Sequence, residues 1–121
     1  MVKRKSVQLH IYPGKLDICI MDDIVDFNEY YDVKIKKNPF VSCMQNYCKN
    51  GFTRFVIILN FNHDCKITNG HIAHEALHAT AFIMAYVGQK FKKYNHEEWA
   101  YLLTWITNQV YKFMKRNGIT I

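Results

Sequence analysis

Five residues in the middle of the chain, His74-Glu75-Ala76-Leu77-His78, have the types and spacing that metal-assisted hydrolysis requires. Residues four apart on a helix share one face, so both imidazoles can reach a single ion. Zinc accepts neutral imidazole readily, and a catalytic zinc typically takes three protein ligands and a water. Glu75 follows the first ligand directly and so points to the side of the metal. There it can take a proton from the bound water and pass it to a leaving amine. The rest of the chain must then supply a helix at this position, a third ligand and a sheet to hold them.

The helix is legible. From about His71 to Val87 the chain is apolar nearly all round, which predicts a helix buried in the middle of a domain, stopped at Gly88. Asn69 or Thr68 is its natural N-cap. Two histidines and a glutamate inside such a helix need partners, because unpaired buried polar groups are costly, and a zinc ion with its water would satisfy all three. His71 lies three residues before His74 and reads as a first-turn polar residue or a contact to the ligands rather than a fourth ligand. His63 and Asp64, in the preceding connection, read as polar loop residues, with a metal role as the alternative. A second long helix is predicted over about 96–116, with Trp99, Leu102, Leu103, Ile106, Val110, Phe113 and Met114 as its apolar stripe. Asn95 with Glu98 resembles a capping box at its start, and Lys112, Lys115 and Arg116 suit its C-terminal dipole.

Upstream, Val7-Gln8-Leu9-His10-Ile11 and Leu16-Asp17-Ile18-Cys19-Ile20 alternate apolar and polar residues, as half-buried strands do, with a turn at Pro13-Gly14. His10 falls on the polar side of its strand. A short helix over about 22–31 would be capped by Asp22 or Asp23. Phe40–Met44 and Phe52–Asn60 read as a hairpin with its turn at Asn50-Gly51. Phe55-Val56-Ile57-Ile58-Leu59 has no polar gap and so predicts a central strand covered on both faces.

The chain has 121 residues, half of them hydrophobic, which is one domain (1–121) with enough apolar mass for a core. Met1-Val2-Lys3-Arg4-Lys5 is basic, but no apolar run of signal-peptide length follows it. No stretch approaches the roughly 18 apolar residues of a membrane span. Cys19, Cys43, Cys48 and Cys65 have no Cys-x-x-Cys spacing and sit in or beside apolar runs. They read as reduced core thiols, which points to the cytoplasm. The net charge of +6 is spread over termini and loops, so it reads as solvated surface, without the aromatic-basic stripe of a nucleic-acid-binding module.

The piece His74-Glu75-Ala76-Leu77-His78-Ala79, followed by Glu97-Glu98-Trp99-Ala100-Tyr101-Leu102, resembles the gluzincin arrangement, in which HExxH is followed on a second helix by a glutamate. It is similar in particular to small phage-encoded metallopeptidase-like proteins, where an H-E-x-x-H-A helix precedes E-x-x-A-Y-L. The likeness covers about residues 52–114. It implies a small zincin-like α+β domain: a three- to four-stranded, mostly antiparallel sheet packed on two long helices. It also implies Zn²⁺ held by His74, His78 and Glu97. Helical geometry by itself leaves Glu97 and Glu98 both open, since they flank one stripe. Tyr101, one turn after Glu97, would by the same resemblance orient a ligand or hold the oxyanion; a packed tyrosine is the other reading. Nothing resembling H-x-x-G-x-x-H follows His78, so the metzincin pattern does not apply.

The function this implies is a small zinc-dependent peptidase in which Glu75 activates a zinc-bound water and a peptide or protein is the substrate. If phage-encoded, it would act in the host cytoplasm. The alternative is a catalytically silent, zinc-bound structural or interaction protein of phage origin. A strand edge within residues 40–60 would hold the peptide as an extra strand, and the sequence does not say which strand is exposed.

Overall fold

In a computed structural model, which describes residues 2–9, 11–47, 53–61 and 66–121 (for residues 46 and 47 the backbone alone), the chain is an α+β domain. His10, Cys48, Asn50, Gly51, Phe52, His63, Asp64 and Cys65 lie outside the described residues. The elements in chain order are β1 (Val2–Gln8), β2 (Lys15–Met21), α1 (Ile24–Tyr31), β3 (Val41–Tyr47), β4 (Thr53–Asn60), α2 (Asn69–Tyr86) and α3 (His96–Arg116). The two long helices and the short one fall close to the ranges their periodicity predicts. No helix among the described residues is long and apolar enough to cross a membrane.

The four strands form one sheet in the order β1-β2-β4-β3. Two pairings, β1 with β2 and β3 with β4, are antiparallel; β2 and β4 run parallel. The sheet is therefore mixed, and mostly antiparallel by pairing. β4 is interior, as its unbroken apolar run demands, and its successive side chains enter two different cores. Phe55, Ile57 and Leu59 pack with Ile72, Ala76, Ala79, Ile83, Ile106, Val110 and Met114 under α2 and α3. Val56 and Ile58 pack with Cys19, Met21, Phe27 and Tyr31 under α1. Period-2 alternation sends neighbours to opposite faces, so a strand sandwiched between helices must be apolar at every position.

β2 departs from its alternation. Asp17, on the polar side of the alternation, is fully buried, and so is Cys19, which reads as a core thiol. α1 covers that face, and a polar cluster neutralises the carboxylate. Asp17 accepts hydrogen bonds from Ser6 (2.6 Å), Tyr31 (2.8 Å), Arg4 (3.2 Å) and Arg54 (3.1 Å). A buried charge persists only when paired and hydrogen-bonded in this way.

α1 is capped by Asp23, whose carboxylate accepts the Val25 N–H at 2.9 Å. α2 is capped by Thr68. The capping box read for α3 is corrected: Asn95 makes no side-chain cap. Its amide instead ties the preceding loop, accepting from the Lys92 N–H and donating to the Lys90 carbonyl. That leaves Glu98 without the local role the sequence suggests. α2 also differs from expectation, because only one side of it is buried, through Ile72, Glu75, Ala76, Ala79, Thr80, Ile83 and Met84. The sheet takes that side. His74, Leu77 and His78 face outward, with Leu77 52% exposed.

Candidate metal centre

His74 and His78 converge as their spacing requires. Their Nε2 atoms stand 3.0 Å apart, with the ring centroids 4.7 Å apart and the planes at 72°. Two nitrogens each about 2.0–2.1 Å from a tetrahedral zinc would stand roughly 3.3–3.4 Å apart. The pair therefore needs to open by only a few tenths of an ångström to hold one. Phe82, one turn on, stacks against His78 at 6.3 Å between centroids and restricts that ring.

Glu75, next to His74 on the helix, is covered by the rest of the domain. It is 5% exposed, and no hydrogen bond to its carboxylate comes from the described residues. Burial raises its pKa above the ordinary carboxylate value, while His78, His74 and His71 pull it back. Glu75 is thus the one of the three that is buried, whereas both imidazoles reach solvent. Burial, with the charge of Glu75 adding to it, raises the pKa of the Cys43 thiol on β3.

His71 is accounted for by the start of the helix. Its Nδ1 accepts the Thr68 backbone N–H at 2.9 Å, and its own N–H donates to Thr68 Oγ1 at 3.3 Å, closing a reciprocal cap. Phe40 packs edge-on against its ring at 4.8 Å. The strand nearest this side of α2 is β3, the edge of the sheet, which packs directly against α2.

Glu97 comes from a suitable segment. The first turn of α3 shares a cavity of about 420 Å³ with α2, lined among others by Leu77, Thr80, His96 and Trp99. The Glu97 side chain, however, is 70% exposed, with Oε1 3.9 Å from His96 Nδ1. No group of three His, Cys, Asp or Glu side chains among the described residues is gathered closely enough to hold a metal. The histidine pair fits two positions of a zinc, and the described residues do not bring a third to it. Glu98 and Tyr101 belong to another place. Both line a cavity on the opposite flank of α3, with Leu9, Ile11, Tyr12 and Trp105, to which α2 contributes nothing. Sequence reading passes over Tyr12 and Trp105 because nothing local joins a loop near residue 12 to a helix ninety residues later. The Asp17 cluster is missed for the same reason.

No family model matches the chain, and neither a curated protein nor a solved structure is similar enough to match it.

Proposed function

We propose that the chain is a small zinc-dependent peptidase. The observation that carries this reading is the convergence of the His74 and His78 Nε2 atoms at 3.0 Å, with the buried carboxylate of Glu75 set between them in sequence. His74 and His78 would hold the ion. Glu97 is the proposed third ligand, on the strength of its spacing and of the packing of its helix turn beside Leu77 and Thr80. When bound, zinc would polarise a scissile carbonyl and lower the pKa of its water.

The chain's own residues would do the rest. Glu75 would take the proton of the attacking water and return it to the leaving amine. β3 has one edge without a strand partner among the described residues and lies against α2. An extended peptide added there would run alongside the histidine stripe, held by main-chain hydrogen bonds. Cys19 and Cys43 are free thiols, which supports a reducing compartment such as the cytoplasm, that of a host cell if the chain is phage-encoded.

The test compares hydrolysis of an unfolded, fluorescently labelled protein by zinc-loaded wild type and Glu75→Gln, with zinc content measured on both. Loss of hydrolysis with zinc retained supports the reading; cleavage that survives Glu75→Gln removes it. A second reading, a zinc-bound structural or interaction protein, is favoured by the exposed position of Glu97. Zinc bound by a wild type that cleaves nothing would select it.

A further inference from the structure

On the flank of α3 facing the β1–β2 loop, Tyr12, Tyr101 and Trp105 line one cavity of about 320 Å³ with Leu9, Leu102 and the carboxylate-bearing Glu98. This site shares no residue with His74, Glu75 and His78. Its floor is apolar and deeply buried, through Leu9 at 2% and Leu102 at 8% exposure. Its rim is not: Tyr101 is 73% exposed and Ile11, on the loop above, is 83% exposed. Large apolar side chains held out to water around a cavity mark a place where something else binds.

The residues on either side of that loop's tip are tied together. The Leu9 N–H donates to the Gly14 carbonyl at 3.3 Å, and the Gln8 side chain donates to the same oxygen at 3.0 Å. Gly14 has φ +107°, and a Cβ there would lie 2.6 Å from the Thr53 carbonyl oxygen. Tyr12 is therefore presented by a turn that only glycine permits.

Three rings of the two types with the most electron-rich faces, plus one carboxylate, suit a cation. Glu98 acts on Tyr12 directly: burial, with the carboxylate's charge, raises the phenol's pKa. An unmodified ammonium would bring three strongly hydrated N–H donors to a lining that offers few acceptors, and would leave some unsatisfied. A methylated ammonium spreads its charge over apolar methyl groups and has few or no N–H donors. We infer that the cavity formed by Tyr12, Tyr101, Trp105 and Glu98 is a binding site for a methylated ammonium group.

The test titrates the intact chain with choline, and in parallel with its neutral isostere 3,3-dimethylbutanol. N-acetyl-trimethyllysine amide and N-acetyl-lysine amide form two further arms. Tryptophan fluorescence reports binding, because Trp105 stands in the wall. Choline is expected to bind saturably and the isostere several-fold more weakly. Glu98→Gln and Tyr101→Ala, both on exposed positions, are each expected to weaken choline roughly three- to tenfold while melting as wild type does. Tighter binding of the trimethyllysine amide than of choline would identify a modified protein side chain as the source of the group, and the reverse a free small molecule. Equal binding of choline and its neutral isostere, no saturable binding of either cation, or choline affinity unchanged in both variants would overturn the assignment.

Discussion

If His74 and His78 hold zinc, the metal must stabilise the fold, and the size of the effect can be bounded. Two of the proposed ligands are residues of one helix, with Nε2 atoms already 3.0 Å apart, so this pair needs only a small opening, while Glu97 on α3 has to move to join it. At a free zinc concentration about a hundredfold above Kd, binding to the folded state alone adds about 2.7 kcal/mol. For a domain of this size each kcal/mol raises Tm by about 3–5 °C, so the shift is roughly 10 °C. This is an upper value, because the unfolded chain, with six histidines and four cysteines, also competes for zinc. Differential scanning fluorimetry across a zinc titration measures it, with magnesium as the control ion. His74→Ala and His78→Ala remove ligands at exposed positions of α2, so each should leave the metal-free Tm nearly unchanged while abolishing most of the zinc response. A zinc response of full size in either variant, or none in wild type at saturating zinc, would refute the reasoning that the pair is a metal site.

Other expectations follow from the same geometry. Elemental analysis after dialysis should find zinc lost from Glu97→Ala and kept in Glu98→Ala; the opposite pattern would make Glu98 the ligand, despite its place in the Tyr12 cavity. Asp17→Ala leaves Arg4 and Arg54 facing a vacated acceptor and should cost about 3 kcal/mol in urea unfolding, toward the low end for a broken buried pair because those arginines stay 28% and 23% exposed. A loss below about 1 kcal/mol would show that the cluster does not hold the sheet to α1. Gly14→Ala should destabilise by about 1–3 kcal/mol, since positive φ and the Thr53 carbonyl both oppose a side chain there, and an unchanged unfolding midpoint would mean the turn yields. The Cys19 thiol is pushed up to about 12, mainly by burial, and burial raises Cys43 as well. Both thiols hold their protons more tightly folded than unfolded, so the stability they lend is fully present below the ordinary thiol value of about 8.5 and is lost as pH rises toward 12. Cys19→Ala should flatten that alkaline decline, and Cys19 should resist alkylation at about pH 8 until the chain unfolds.

What the sequence by itself determined is what depends on near neighbours along the chain. The apolar run of β4 announces a strand covered on both faces. The stripe in α3, a cap at Asn69 or Thr68 and the stop at Gly88 bound the two long helices, because periodicity and capping act over a few residues. The four-residue interval of His74 and His78 sets two imidazoles side by side on any helix.

What only the tertiary structure decided is where each face goes. An alternating strand does not say whether its polar side meets water or a helix, and in β2 that side meets α1, so Asp17 ends fully buried among Arg4, Ser6, Tyr31 and Arg54. A helix apolar nearly all round does not say which side the sheet will take. α2 turns Glu75 inward and leaves both histidines in water. Glu97, Glu98 and Tyr101 lie within five consecutive residues, yet Glu97 projects into solvent while the other two close a cavity against Tyr12. Their spacing around α3 is a local property. The partner each one meets depends on how α3 is rotated against the sheet, and burial of Leu102, Ile106, Val110 and Phe113 sets that rotation.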